Sequence, residues 1–315
     1  MFAYRYKFQR PVIYCPSGNQ GWIIDAIAKD IAQYHKGNLV RIPKSRREIF
    51  LHLKNLITPR SKINVFVHHK LFISMVLKSQ VDLDARNIVY FVHHSPSLNT
   101  KKNDLIINLK YASKIIVMSQ QSKNFLISKL GRLHEKKILV VIGGADLEKF
   151  SNLECSKNTK SVIMVIHLAA RKRQDLVLRT VKDNRDFTFI LHGRGWEKSV
   201  YLKSLRNLPN FEFRRFDFSN ANRLFNSANI FLSLSDLEGG PIPALEALAS
   251  GCKVILTNTG WAEDLAKLTN SVIVIPINPS QKEVREALIH CQFIEPPPKN
   301  IVDFFAYGKF LKEFL

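Results

Sequence analysis

The chain has 315 residues, 46% of them apolar and 23% charged. That composition excludes a disordered or collagen-like chain, and at about 150 residues per domain the length fits two domains. The 47 Lys and Arg against 26 Asp and Glu give a net +21, of which +15 falls in residues 1–155; such an excess attracts phosphorylated ligands, anionic lipid or nucleic acid without choosing among them.

Residues 12–14 read as a strand, 17–21 as a loop and 22–34 as a helix with Ile24, Ile27, Ala28 and Ile31 on one face. Residues 64–67 and 88–92 read as strands, followed by His68-His69 and His93-His94. A strand at 114–118, a helix at 119–131 and a strand at 137–142 complete the first series. In the second series, strands are expected at 161–166, 187–191, 230–234, 253–256 and 272–275. Helices are expected there at 174–182, 243–249 and 280–290. Residues 295–298 break the chain before a terminal helix at 301–315. Strands alternating with helices imply parallel sheets of βαβ units, here in two blocks joined near residues 148–158. Ligands of such sheets sit at the carboxyl ends of strands. Cys15, Cys155, Cys252 and Cys291 are too scattered for a zinc site and too few for a disulfide scaffold, so reduced thiols in a cytosolic compartment are expected. No stretch is long and apolar enough to span a bilayer.

Residues 235–251, SDLEGGPIPALEALASG, run from a strand through a glycine loop into a helix. Glu238 and Glu246 are separated by seven residues, and Gly239 and Gly240 bare their amides near a helix start, which favours an anionic or hydroxyl-rich ligand. A solvated turn with a surface Glu pair explains the bare spacing equally well. The loop at residues 16–21, PSGNQG, is either an ordinary βα turn or a diphosphate loop using Gly18 and Gly21. The four histidines stand on the ligand edge of a parallel sheet or serve structure, and no carboxylate or Cys spacing makes them a metal cluster. Asp82-Leu-Asp84 precedes a strand and reads as a solvated loop. Residues 44–62 interleave Arg46, Arg47 and Lys54 with Ile49, Phe50, Leu53 and Leu56. That basic amphipathic helix either packs on a sheet or docks on an anionic membrane.

Residues 235–251 resemble the Glu-x7-Glu motif of family 4 glycosyltransferases of the GT-B fold, and residues 247–260 continue the likeness. Residues 112–123, 141–150 (VIGGADLEKF), 163–172 (IMVIHLAARK) and 191–195 (LHGRG) resemble, in order, four further segments of that family. These are its late N-domain strand–helix unit, its interdomain segment, its phosphate loop and its Gly-x-Gly turn. The likeness is good over about residues 110–265 and loose over the first hundred. It implies an α/β chain of two Rossmann-like doubly wound domains facing across a cleft. Residues 1–152 would form the acceptor side and 153–300 the nucleotide-sugar donor side, with 301–315 crossing back.

The resemblance also implies roles for particular residues. Glu238 would contact donor hydroxyls and Glu246 the nucleotide ribose. The backbone around Gly239, Gly240, Pro241 and Ile242 would face sugar and phosphates. Gly18, Gly21, Gly193 and Gly195 would approach the donor, and His93 would lie near its sugar. The family's Arg–Lys phosphate clamp becomes His167 and Lys172; a His is not always charged, so Arg171 or Arg173 would substitute. The catalytic set expected is Glu238, His93 and Lys172. The reaction implied is retaining, metal-independent transfer from a nucleotide sugar to a glycan or lipid-linked acceptor, with no cofactor. The setting implied is bacterial surface-polysaccharide synthesis in the cytoplasm, peripheral on the inner membrane. A degenerate relative serving as a binding subunit is the alternative, and the acidic Glu238–Glu246 pair argues against nucleic acid.

Overall fold

The computed structural model describes residues 10–17, 23–42, 62–91, 104–153 and 157–298. The chain divides into two compact units between Val141 and Ile142.

The first unit contains β1 (Val12–Pro16), α1 (Ile23–Tyr34), β2 (Asn38–Ile42), β3 (Ile63–Phe66), α2 (His69–Leu77), β4 (Arg86–Phe91), β5 (Lys114–Val117), α3 (Gln120–Leu130) and β6 (Ile138–Val140). Its strands form one parallel sheet in the order β2-β1-β3-β4-β5-β6. Alternate residues of a strand point to opposite faces, and a parallel sheet buries both. Val12, Tyr14 and Phe66 accordingly pack on one side with Phe72 and Leu126, while Ile13 and Val65 pack on the other with Ile27, Ala28 and Ile31.

The second unit contains β7 (Ser161–Val165), α4 (Gln174–Asp183), β8 (Thr188–Gly193), α5 (Leu202–Arg206), β9 (Phe211–Arg215), α6 (Ala221–Asn226), β10 (Ile230–Ser233), α7 (Ile242–Ala249), β11 (Lys253–Thr257), α8 (Ala262–Ala266), β12 (Val272–Ile275) and α9 (Gln281–Phe293). The order of its parallel sheet is β12-β11-β10-β7-β8-β9. The chain therefore starts in the middle at β7, winds outward through β8 and β9, then returns to β10 on the other flank. That reversal opens a crevice between the carboxyl ends of β7 and β10. The same reversal lies between β1 and β3 in the first unit.

The expected strands and helices that fall on described residues are all present. Two further strands, β2 and β9, lie at sheet edges, half exposed and studded with charge as in Phe211-Glu-Phe-Arg-Arg, so they lack the continuous apolar run of the central strands. The terminal helix expected at 301–315, and residues 44–61 of the basic helix expected at 44–62, with Arg46, Arg47 and Lys54, lie outside the described residues. Among the described residues no helix is long and apolar enough to cross a membrane.

Candidate functional site

The crevice between β7 and β10 gathers the strongest sequence motif. After β7 the chain passes His167 and makes a short 3-10 turn, Ala170–Lys172. After β10 it runs through Ser235 and Glu238 into α7. The two loops are laced together. The Asp236 amide donates to the Arg171 carbonyl at 2.9 Å, and Arg171 Nη1 donates back to the Leu237 carbonyl at 2.9 Å. Glu238 is only 4% exposed and Lys172 only 8%. Lys172 Nζ donates to Glu238 Oε1, and Arg171 Nη1 lies 2.7 Å from the same oxygen. The reading of residues 235–251 as a solvated turn with surface carboxylates is thereby excluded.

Burial alone would push the Glu238 carboxyl up, but the charges of Lys172 and Arg171, with hydrogen bonds from Lys172 and Ser235, hold it below the usual range. Burial lowers the Lys172 ammonium, and Glu238 opposes that shift. The pair stands as ammonium and carboxylate, with Arg171 as the second cation. His167 is pulled down by burial and by the Lys172 and Arg171 charges, so its imidazole is neutral at pH 7. Arg171, not His167, thus brings the positive charge beside Lys172. Arg173 is engaged elsewhere: it sits in the left-handed region at φ 48°, pairs with Asp175 at 3.2 Å and donates to Asn278 Oδ1 at 2.6 Å.

Glu246 lies on α7, 9% exposed. Burial pushes its carboxyl up to about 7; the Lys149 charge draws it down and that of Asp146 pushes it further up. Asp146 and Lys149 belong to the segment 141–150, where the Asp146 carboxylate caps a turn by accepting from the Glu148 and Lys149 amides. Pro241 is the N-cap of α7, which has no side-chain cap. Gly240 and Gly239 lie against Trp261 and Gly260.

The Gly-x-Gly turn closes the other side of β7. A Cβ on Gly193 would fall 2.0 Å from the Ile166 carbonyl oxygen, and Gly195 adopts φ +80°. The turn lies on the β7 loop through Leu168 N–H to the Arg194 carbonyl (2.9 Å) and Trp196 Nε1 to the Ile166 carbonyl (2.8 Å). Glycine at 193 is therefore required by backbone packing.

In the first unit, His68 caps α2, its Nδ1 accepting from the Lys70 amide at 3.1 Å, and its ring stacks on buried His69. Those contacts give both a structural place. Asp82 and Asp84 form an exposed turn before β4, as expected. Gly18, Gly21, His93 and His94 lie outside the described residues. Ser235, Asp146 and Lys149 lie in segments that the sequence singles out, 235–251 and 141–150, but the sequence assigns them no role, because only the fold brings them beside Glu238 and Glu246.

Residues 146–292 match the family model described as glycosyl transferases group 1. No curated protein matches the chain in sequence. Among solved structures, Anabaena Alr3699/HepE in complex with UDP is similar at TM-score 0.68 and 15% identity over 89% of each chain. A glycosyltransferase from Rickettsia africae ESF-5 is similar at TM-score 0.67 and 16% identity, over 91% of this chain and 88% of that one. Sucrose-phosphate synthase from Thermosynechococcus elongatus is similar at TM-score 0.70 and 12% identity, over 90% of this chain and 89% of that one. Residues 146–292 are thus a glycosyl transferases group 1 domain, and the chain has the GT-B fold of glycosyltransferases.

Proposed function

We propose that this chain is a retaining, metal-independent glycosyltransferase whose second unit binds a nucleoside-diphosphate sugar at the crevice between β7 and β10. The observation that carries this reading is a buried carboxylate, Glu238, paired with two cations, Lys172 and Arg171, at the topological switch point of a doubly wound sheet. Glu238 accepts hydrogen bonds from donor-sugar hydroxyls, and Glu246 accepts from the ribose. The amides of Gly239, Gly240 and Ile242 face sugar and phosphate, and Pro241, which has no N–H, sets the entry into α7. Gly193 and Gly195 let the backbone approach the nucleotide.

Lys172 and Arg171 supply positive charge where the diphosphate departs, so a divalent ion is not needed for that purpose. The acceptor hydroxyl oxygen bonds to the anomeric carbon on the face the diphosphate leaves. The bond from that carbon to the phosphate oxygen breaks, and the hydroxyl proton passes to that oxygen. Retention rests on the resemblance of residues 235–251 to family 4, and turnover unaffected by a chelator is the expected result. A uridine diphosphate donor is the first to test, because Anabaena Alr3699/HepE holds UDP-glucose and the pneumococcal O-GlcNAc transferase GtfA holds UDP and GlcNAc. The acceptor is a glycan or lipid-linked saccharide of a bacterial surface polysaccharide, met at the cytoplasmic face of the membrane. The +15 carried by residues 1–155 supports that location, and salt-sensitive sedimentation with anionic vesicles checks it.

The test is thermal unfolding with UDP, GDP, ADP, CDP and dTDP and their sugar conjugates. A ligand at a hundredfold excess over its Kd stabilises by about 2.7 kcal/mol. Stabilisation by one base class is expected, and no stabilisation by any would overturn the reading. Binding without turnover on any sugar conjugate and acceptor would make the chain a binding subunit instead.

A further inference from the structure

The Glu238 loop is held on two sides. One side is the ion-paired lacing to Arg171 and Lys172. The other is Trp261, a fully buried residue at the N-cap of α8. Its six-membered ring lies over Gly240 so closely that a Cβ there would fall 2.2 Å from Cε3 and 2.5 Å from Cδ2 and Cζ3. The preceding residue, Gly260, also approaches the Gly239 backbone closely: a Cβ on it would meet the Gly239 carbonyl carbon at 2.8 Å. Residues 239–240 and 260–261 therefore lie backbone to backbone and ring to Cα. The edge of the indole that meets Gly240 is the benzo edge, so the pyrrole N–H points the other way. That N–H is buried and has no hydrogen-bond partner among the described residues. What the indole contributes to the loop is the edge and the volume of its six-membered ring.

We propose that Trp261 is a positioning residue for donor-sugar recognition: its ring fixes the Gly239–Gly240 backbone, and with it the direction of the Glu238 carboxylate and the loop amides. This rests on the donor site proposed above. The nucleoside meets other elements, the Gly193–Gly195 turn and Glu246, whereas the loop meets the sugar through Glu238 and the phosphates only through its amides. Loosening the ring contact should therefore weaken binding of the complete sugar nucleotide much more than binding of the nucleoside diphosphate.

The experiment measures Kd for UDP and for the UDP-sugar that the wild-type chain turns over, together with kcat, in Trp261→Phe, Trp261→Leu and Gly240→Ala. Trp261→Phe keeps an aromatic ring but removes the benzo-ring atoms nearest Gly240, so it should show the same selective loss as Trp261→Leu, only smaller. Trp261→Leu should lower kcat and sugar-nucleotide affinity by on the order of tenfold to a hundredfold, with a several-fold smaller loss of UDP affinity. Gly240→Ala drives a methyl into the ring and should show the same selective loss. Combined with Trp261→Leu it should cost less than the two losses added, since the smaller side chain makes room. If Trp261→Leu fails to fold, Gly240→Ala alone decides. Equal loss of UDP and UDP-sugar binding, or unchanged UDP-sugar binding, overturns the proposal. A wild-type chain that binds no nucleoside diphosphate overturns the donor site and this role together.

Discussion

Glu246→Gln is the substitution for which the structure yields the sharpest number. The carboxyl is buried, and its pKa is pushed from an ordinary 4.5 to about 7. A carboxyl whose folded pKa lies above its unfolded one holds its proton more tightly when folded. Its stabilising contribution is therefore complete below about pH 4.5 and is lost as the pH rises through about 7. The difference of about 2.5 units corresponds to about 3 kcal/mol against the folded state at pH 8. A neutral amide of nearly the same shape does not carry this cost. Glu246→Gln should thus match the wild type near pH 4.5 and exceed it at pH 8 by roughly 6 to 12 °C in Tm, taking about 2 to 4 °C per kcal/mol for a unit of this size. Nucleotide binding should move the opposite way. If the ionised carboxylate accepts from the ribose, wild-type affinity for UDP rises about tenfold between pH 6 and 8 as Glu246 deprotonates, and that dependence vanishes in the Gln variant. Differential scanning calorimetry at pH 4.5, 6 and 8, paired with titration calorimetry of UDP at pH 6 and 8, reads both. Melting curves for the two proteins that stay parallel at all three pH values would refute the reasoning.

Other substitutions test the supporting geometry. Gly193→Ala puts a methyl 2.0 Å from the Ile166 carbonyl oxygen, and the forced backbone shift should cost about 1–3 kcal/mol, visible in urea unfolding of the ligand-free protein. Lys172→Met leaves Glu238 buried beside Arg171 alone. It should lose about 3 kcal/mol at pH 7.5 and less toward acid pH, because without the Lys172 charge the burial of Glu238 favours its protonated form; equal losses across that range would argue against an ionised pair. His167→Arg adds a charge where the imidazole is neutral, and UDP should bind several-fold tighter to it at pH 7.5, by titration calorimetry.

The central strands were legible because parallel sheets bury both faces, so Ile-Phe-Leu-Ser and Lys-Val-Ile-Leu-Thr read as apolar runs. The edge strands β2 and β9 were not, since only one flank is paired and charges such as Arg41, Glu212 and Arg214 are tolerated there. At the site, spacing marked Glu238, Glu246 and the glycines. It could not separate Arg171 from Arg173, because two residues along a short turn send side chains in opposite directions, one to Glu238 and the other to Asp175 and Asn278. The histidines following β3 illustrate the converse: a suggestive pair on the ligand edge is accounted for by a helix cap and a stacked ring. Trp261 was invisible as a loop support, because its partner is a glycine more than twenty residues away and only the folded backbone brings the two together.

The charge arrangement around Glu238 makes a prediction that a surface carboxylate would not. With His167 neutral, Arg171, Lys172 and Glu238 sum to about one positive charge, and the two cations are already committed to the carboxylate. A diphosphate that takes up those cations must share them with Glu238. The sugar hydroxyls of a complete donor compensate by donating to the carboxylate, while free UDP has no such groups. Glu238→Gln removes the competing charge and leaves the sugar only a neutral amide oxygen in place of a charged acceptor. It should tighten UDP while weakening the sugar nucleotide, so that the ratio of the two affinities falls by more than either constant changes. A buried pair broken on one side is also costly, about 3–5 kcal/mol where the remaining charge is uncompensated. The ligand-free variant should therefore melt well below wild type, and saturating UDP, by pairing with Lys172 and Arg171, should recover most of the difference. A variant that melts like wild type without ligand, or that loses UDP and the sugar nucleotide in equal proportion, would mean that the carboxylate is neither the cations' partner in solution nor the sugar's.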